Sequence, residues 1–477
     1  MLFNSYIFIL AFLPVTLAGY FCLARLFRKL PLNKIWLVGC SLVFYAYFNV
    51  RYLPIIVLSI LVNYALSQGM LAARGKGVRA LLLAVGLLGN LGVLGYYKYY
   101  DFFVQNVNAL AGTSFVLHRL VLPLGISFFT FQQLSYVIDS YRRTVPRYGL
   151  IDYSLFVTFF PQLIAGPIVL HSEIVPQFAN PENRRFRFEN FAPGLYAFAL
   201  GLFKKVIVAD TFAKVAEWGF GPGQALNTPE AWFVAFAFAF QLYFDFSGYC
   251  DMAMGLGRMF NINIPQNFNS PYKAHNIKEF WQRWHITLSR FFTNYIYFPM
   301  GGSRKGLART CANLMVVFLV SGLWHGAGWL FILWGALHGL MSVLYRVFRK
   351  QFDCLHPALS WLITFLFVVI AWVFFRATDM QSAMTVLHAM FTMNFGPLSA
   401  SITNVFTLPM GLHPGYNAIV TEIWYALALF GVLGLPNTFE LTDRFKPTFG
   451  RAALTVALLT VSILSLSGVS VFLYYNF

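Results

Sequence analysis

One apolar run past the middle of the sequence limits what this chain can fold into. Between Cys311 and Tyr345 there is no Asp, Glu, Lys or Arg, and the ionisable side chains of note are His325 and His338. The run is longer than the roughly 20 apolar residues that cross a bilayer as a helix. An ionisable side chain at membrane depth is costly, so by default it marks a functional site. We therefore ask first about His325, which lies among glycines and tryptophans in this run.

The composition extends this expectation to the whole chain. Of 477 residues, 58% are hydrophobic and 11% are charged, whereas a soluble domain is about 25% charged. We predict an all-α polytopic integral membrane protein. Three segments are too short to cross alone (35–49, 311–324 and 383–394). These short segments, and the break at Phe160–Pro167, predict re-entrant pieces surrounded by protein or water. The candidate segments lie near residues 5–24, 35–49, 52–72, 80–98, 121–138, 153–170, 191–209, 231–249, 311–324, 326–345, 359–376, 383–394, 417–435 and 452–474.

The charge pattern predicts the orientation. The chain has 34 Lys and Arg against 17 Asp and Glu, a formal net charge of +17. Its basic residues cluster in short loops between apolar segments, which is the pattern of cytoplasmic loops and argues against nucleic-acid binding. We therefore expect a multi-pass membrane protein with these loops on the cytoplasmic side. The basic loops lie at residues 25–34, 74–79, 142–147, 184–187, 304–309, 346–350 and 444–451.

The depth of His325 follows from helix geometry. A helix that begins after Arg309 would rise roughly 24 Å before it reaches His325, at about 1.5 Å per residue. The chain then returns to Arg346, so His325 is predicted to lie at a deep turn between two helices. A neutral imidazole there is suited to act as a general base. The alternative is a buried histidine that forms a contact between packed helices.

A second histidine lies in a segment of mixed polarity. Lys273 to Arg290 alternates charged with aromatic residues and predicts an amphipathic helix at the cytoplasmic interface. Trp281, His285 and Ser289 would share one face of that helix, because they are four residues apart. Taken alone, His285 is more typical of a structural role. Arg283 could bind a phosphate of a cytoplasmic donor or anchor the helix at the interface.

Other residues leave the function open. Asp245 and Asp251 end an apolar segment, where they could pair with an arginine or orient a histidine. His338 is predicted to be structural, since on a continuous helix it would lie about 20 Å from His325. The five cysteines are scattered, with no disulfide or zinc pattern, and no metal site is predicted. Nucleotide-binding and serine-hydrolase motifs are also missing from the sequence.

A series of motifs in order resembles the membrane-bound O-acyltransferase (MBOAT) family, in particular its bacterial branch that includes the alginate O-acetylation membrane protein. The similarity extends over residues 1 to 345 and is densest from 120 to 345. The motifs are Pro123-Leu-Gly-Ile-Ser-Phe-Phe-Thr-Phe-Gln132, Phe160-Pro-Gln-Leu-Ile-Ala-Gly-Pro167, Tyr243-Phe-Asp-Phe-Ser-Gly-Tyr-Cys-Asp-Met-Ala-Met-Gly255, Gln266-Asn-Phe-Asn-Ser-Pro-Tyr272, Phe280-Trp-Gln-Arg-Trp-His-Ile-Thr-Leu-Ser-Arg290, Tyr297-Phe-Pro-Met-Gly-Gly-Ser303 and Gly322-Leu-Trp-His-Gly326.

The resemblance implies a fold and a site. The family forms a ring of helices, with re-entrant and interfacial pieces, around a central tunnel, and we expect residues 1–477 to form one such domain. The family's essential histidine corresponds to His325 and its partner to His285. A cytoplasmic entrance admits the acyl donor, and an outer funnel admits the acceptor. The predicted catalytic residues are His325 and His285, and the predicted substrate-binding residues are Trp324, Trp281, Arg283, Ser289, Asp245 and Asp251.

The expected function is an O-acetyltransferase that moves an acetyl group from a cytoplasmic thioester, acetyl-CoA or another, to an extracytoplasmic polysaccharide. No tightly bound cofactor is expected. The resemblance implies a periplasmic SGNH-hydrolase-like acetyltransferase partner and polysaccharide machinery. The glycan stays open among alginate-like exopolysaccharide, cellulose and peptidoglycan. The alternatives are a transporter, with His325 as a proton relay, and a non-catalytic scaffold of a polysaccharide export complex.

Overall fold

The computed structural model describes residues 1–407, 414–466 and 472–473. Across these ranges the chain is helical, with no β-strand, as expected of an all-α polytopic membrane protein. Nine helical segments in them are long and apolar enough to cross a membrane. Residues 467–471 and 474 of the predicted segment 452–474 lie outside the described residues. The nine segments are Phe8–Leu26, Val50–Ala72, Lys76–Ala111, Phe188–Gly219, Thr228–Met259, Gly306–His325, Trp329–Val347, Pro357–Arg376 and Tyr416–Leu433.

The chain divides into two units. Among the described residues, the first comprises those within 1–200, 249–266 and 442–476, and the second those within 201–248 and 267–441. Three helices cross these boundaries in sequence: Phe188–Phe203, Thr228–Met259 and Thr438–Asp443. The other α-helices of the first unit are Leu13–Leu26, Leu32–Ala46, Leu53–Ala72, Lys76–Leu94, Tyr100–Ala111, Ile126–Arg142, Leu150–Thr158, Phe160–Leu163, His171–Ala179 and Phe449–Leu464.

The second unit holds the apolar run with which the sequence analysis began. Its helices Gly306–His325 and Trp329–Val347 form an antiparallel hairpin, and Pro357–Arg376 and Ile277–Arg283 pack on the second arm. The remaining α-helices that lie within this unit are Asp210–Gly219, Ile286–Phe292, Arg349–Asp353, Met380–Phe391, Ala400–Thr403 and Pro414–Leu433.

Two sequence predictions of broken segments have different outcomes. The break at Phe160–Pro167 is confirmed, because the helices Leu150–Thr158 and Phe160–Leu163 are separate and a new helix begins only at His171. The prediction that 311–324 is too short to cross alone is wrong. Its helix begins at Gly306, before the basic residue Arg309, and its 20 residues are enough for a span.

Glycines set how closely the two arms of the hairpin approach. A Cβ atom at Gly322 would overlap the carbonyl oxygen of Phe331, and one at Gly335 would overlap the carbonyl oxygen of Phe318. Small residues at such crossings let two backbones come into contact. The hairpin thus holds the end of its first arm, His325, at a fixed position relative to the second arm.

We therefore expect Gly322→Ala to lower stability by about 1–3 kcal/mol, because the added methyl group meets backbone that cannot rotate away. The matched control is Gly89→Ala, inside the helix Lys76–Leu94, where a Cβ has nothing within 4 Å. That change is expected to be neutral or stabilising by up to about 1 kcal/mol. Melting temperatures of the two purified variants check this, and equal melting of Gly322→Ala and wild type would contradict it.

Candidate active site

His325 is the last residue of the first hairpin arm. Residues 326–328 form the turn, and Trp329 begins the second arm. The imidazole is 2% exposed. Its ring centroid lies 5.1 Å from that of Trp334 on the second arm and 5.3 Å from that of Phe375 on the helix Pro357–Arg376. His325 therefore lies at a turn between two helices, as predicted, within an aromatic cluster.

The segment that carries His285 differs from the prediction. The single amphipathic helix expected over Lys273–Arg290 is wrong, because two short helices, Ile277–Arg283 and Ile286–Phe292, take its place. His285 separates them with φ 45° and ψ 52°, in the left-handed region. A non-glycine residue held there costs on the order of 1–3 kcal/mol, and such residues cluster at functional sites. The shared face of Trp281, His285 and Ser289 is lost with the continuous helix.

His285 is also buried, whereas the sequence placed it at an interface. None of its surface is exposed, and Phe246 packs edge-on against its ring at 4.8 Å between centroids. Burial lowers the pKa of His285 from 6.5 to about 3, because the charged imidazolium would lose its hydration. The neutral imidazole is therefore the form present near pH 7.

Asn267 determines which nitrogen of His285 carries the proton. The backbone N–H and the hydroxyl of Thr287 both donate to Asn267 Oδ1, at 3.1 and 2.8 Å. That atom is therefore the amide oxygen and only accepts. His285 Nδ1 lies 3.2 Å from the same oxygen, so it must donate. In the neutral ring Nε2 then keeps its lone pair and is a hydrogen-bond acceptor or a base.

The two histidines lie in one cluster, as the sequence predicted. Their ring centroids are 6.5 Å apart. Trp324 contacts both, at 4.9 Å from the His325 centroid and 5.9 Å from the His285 centroid. The Trp324 indole therefore packs against both imidazoles.

A cavity of about 340 Å³ lies near this cluster, although neither histidine is among its lining residues. Trp281 and Ser289 line it, and so does Ser321, which lies one helical turn before His325. Three cations line it as well: Lys278, Arg346 and Arg349. The cavity therefore combines aromatic and hydroxyl side chains with positive charge.

The remaining predicted substrate-binding residues lie elsewhere or are engaged. Arg283 forms a 2.8 Å ion pair with Glu279 and donates to the Asn269 carbonyl, so its side chain holds the turn before His285. Asp245 pairs with Lys205 at 2.7 Å rather than with an arginine, and both are buried. Asp251 belongs to the first unit.

His338 is closer to this cluster than the sequence predicted. The estimate of 20 Å assumed one continuous helix, whereas the turn at 326–328 folds His338 back along the hairpin. Its centroid lies 4.8 Å from that of Trp334, which also contacts His325. The Trp281 indole N–H donates to its Nδ1 at 3.3 Å. A structural role as acceptor for Trp281 fits these contacts.

Comparison with known proteins decides the family. The sequence profile of the MBOAT, membrane-bound O-acyltransferase, family matches residues 94–383. The chain is 42% identical to a peptidoglycan O-acetyltransferase of Helicobacter pylori, over all of this chain and 98% of the relative. This chain belongs to the membrane-bound O-acyltransferase family. It is also 38% identical, over the full length of both, to a probable alginate O-acetylase of Pseudomonas putida.

The MBOAT assignment makes the chain an O-acyltransferase enzyme and a multi-pass membrane protein. A more distant member, a teichoic acid D-alanyltransferase of Bacillus subtilis, is 27% identical over 49% of this chain and 61% of its own length. The family profile includes His285 and His325 and the helices around them. Both histidines were candidate catalytic residues in the sequence analysis.

Sequence reasoning missed Asn267, Trp334 and Phe375. Asn267 lies inside the motif Gln266–Tyr272, so its position in the motif was the signal available. Trp334 and Phe375 are ordinary aromatics of apolar helices, and only the folded chain brings them against His325.

Proposed function

We propose that the chain transfers an acetyl group from a cytoplasmic thioester to an acceptor hydroxyl, for O-acetylation of an extracytoplasmic glycan. The observation that carries the proposal is the 6.5 Å pair of buried histidines in an O-acyltransferase. The relatives named for acetylating peptidoglycan and alginate support acetyl as the group.

In the proposed reaction the acceptor oxygen attacks the thioester carbonyl carbon. His325 takes the hydroxyl proton as the C–O bond forms, and the C–S bond breaks. The proton then passes to the departing thiolate. The apolar rings around His325 exclude water, so the thioester is protected from hydrolysis.

His285 is proposed to position the donor. With Nδ1–H donating to Asn267, neutral His285 offers Nε2 as an acceptor to a donor N–H group. A role at the oxyanion would require Nε2 to be protonated first. Burial, which disfavours the imidazolium, opposes that.

The cavity beside Trp281 is the proposed donor site. A CoA-type thioester carries phosphates, and Lys278 and Arg346 supply charge for them without a salt bridge to any described residue. Arg349, by contrast, pairs with Asp353 at 3.1 Å. The loop 346–350 is basic, which favours the cytoplasmic side for this cavity.

Arg346→Gln is expected to raise the KM for acetyl-CoA about 5- to 10-fold and to change kcat less than twofold, because it removes a phosphate contact made equally in ground and transition states. Lys350→Gln removes the same charge from an exposed position that does not line the cavity. Initial rates against acetyl-CoA concentration check this. If Arg346→Gln and Lys350→Gln had the same KM for acetyl-CoA, a contact between Arg346 and a donor phosphate would be ruled out.

The cellular setting is part of the proposal. We propose the inner membrane of a bacterium, because the named relatives are bacterial proteins and the basic loops mark a cytoplasmic side. The described chain is dominated by membrane helices, so a periplasmic SGNH-hydrolase-like acetyltransferase is the proposed partner that completes transfer, together with polysaccharide machinery. Peptidoglycan and an alginate-like exopolysaccharide are the favoured acceptors, by the names of the relatives.

The test is deletion of the gene and complementation, with alkali-released acetate measured separately in peptidoglycan and in exopolysaccharide. We expect the acetate of one glycan to fall on deletion and to return with the wild-type chain. Unchanged acetate in every glycan of the deletion strain would overturn the proposal.

A further inference from the structure

A second cavity lies in the first unit, in a part of the chain that the proposed reaction does not use. Its volume is about 540 Å³. It lies where the first span, Phe8–Leu26, ends and the short helix Pro181–Arg184 passes by. Its lining residues are Phe21, Cys22, Ala24, Arg25, Arg28, Pro181, Arg184, Arg185 and Phe186.

The cavity is strongly positive. Four arginines line it, and no carboxylate does. Within the described residues none of the four forms a salt bridge. The acid nearest in sequence, Glu182, instead faces Arg187 at 3.7 Å. Four guanidinium groups around one space repel one another, so an anion in that space would lower their energy.

Arg184 is built into the wall of this cavity. One of its terminal nitrogens donates to the Arg28 carbonyl at 3.2 Å and so ties the helix Pro181–Arg184 to the end of the first span. Its Nε is buried and has no hydrogen-bond partner in the described chain. An unpaired buried donor on a charged group is costly, and a phosphate oxygen is a partner that an arginine fork fits well.

The surroundings of the cavity indicate a lipid rather than a soluble anion. Leu26 is 72% exposed and Phe186 is 54% exposed, and Phe21 packs edge-on against Phe186. In a membrane protein such exposed apolar side chains face acyl chains. The loops 25–34 and 184–187 are both basic, which predicts the cytoplasmic surface, where anionic headgroups bind basic pockets between helices.

We propose that this cavity binds the phosphate headgroup of an anionic phospholipid, held by Arg28 and Arg184 with Arg25 and Arg185 at its margin. The acyl chains would lie along Phe21 and Phe186. The bound lipid connects the end of the first span to the segment 181–186. The site is separate from the proposed acetyl transfer and does not depend on it.

The test uses the full-length protein, purified in mild detergent and delipidated, with phosphatidylglycerol, phosphatidylcholine and inorganic phosphate as probes. Native mass spectrometry counts bound lipid, and melting temperature reports stabilisation. We expect phosphatidylglycerol to bind and to raise the melting temperature, and the Arg28→Gln/Arg184→Gln double variant to bind it at least about tenfold more weakly. The control is Arg74→Gln/Lys76→Gln, which removes the same charge from exposed positions of another basic loop.

Each outcome bears on the proposal. Tight phosphatidylglycerol binding that only the cavity variant loses supports it. Equal binding of phosphatidylcholine, or equal loss in the control variant, overturns it. If inorganic phosphate displaces the lipid at low millimolar concentration, the site binds free phosphate and the lipid assignment is wrong. If the double variant fails to fold, the single variants Arg28→Lys and Arg184→Lys replace it. They keep the positive charge but lose the guanidinium that can donate two parallel hydrogen bonds to a phosphate, so they are expected to bind phosphatidylglycerol more weakly than wild type.

Discussion

His325→Gln is expected to lower the rate of acetyl transfer by at least about 100-fold while leaving the melting temperature of the protein nearly unchanged. The imidazole is the proposed general base, and such groups contribute typically about 10²–10⁴-fold. Glutamine keeps a polar side chain of similar size between Trp324 and Trp334 but cannot take up the proton. His325→Ala is expected to be as inactive and less stable, because it also leaves a hole among the rings.

The control for this experiment is His388→Gln. His388 lies on the helix Met380–Phe391 of the same unit and is exposed. The acetyl-transfer rate of His388→Gln is therefore expected to stay within twofold of wild type. Initial rates with labelled acetyl-CoA and an acceptor glycan measure both variants. A His325→Gln protein with more than about a third of the wild-type rate would exclude His325 as the base.

The second large effect is expected at Asn267. Asn267→Asp places a carboxylate against His285 Nδ1, and an opposite charge within hydrogen-bond distance raises the pKa of the imidazolium from its wild-type value of about 3. Since His285 is proposed to act as the neutral ring, the acidic limb of the activity profile should move to higher pH. Below the raised pKa the proton occupies Nε2, so the variant loses activity at acidic pH and regains it as the pH rises.

Asn267→Ala separates this effect from orientation. It leaves the buried Nδ1–H unpaired, which costs about 1–3 kcal/mol, so we expect kcat to fall about tenfold or more without a shift of the pH profile. The matched control is Asn269→Asp, two residues along, whose side chain contacts Asn437 instead. Rates from pH 5 to 9 measure all three. A profile for Asn267→Asp that coincides with wild type would mean that Asn267 does not set the protonation of His285.

The sequence predicted the parts of this molecule that composition and local spacing determine. Apolar runs and glycine-flanked His325 predicted a turn between two helices, and a turn at 326–328 follows His325. The first arm begins earlier than predicted. An apolar run ends at a charged residue, whereas a helix can continue through one, and Arg309 lies inside the first arm.

What the sequence did not show depends on contacts between distant segments. Helical periodicity over Lys273–Arg290 was real, but the hydrogen bonds from Thr287 and His285 to Asn267 hold a left-handed residue in the middle and break the helix. Similarly, a carboxylate in an apolar segment, such as Asp245, is expected to pair with a cation. Nothing in its own segment indicates that Lys205 is that cation. Periodicity describes one element at a time, and both features arise where elements meet.

The central claim, that an acetyl group crosses at the histidine pair, is tested most directly in inverted membrane vesicles from a strain that makes the chain. Labelled acetyl-CoA is added outside, at the cytoplasmic face, and alkali-labile label on macromolecules inside is counted after external label is removed. We predict label inside vesicles with the wild-type chain, and none above background with His325→Gln. Equal internal label in both would contradict the account.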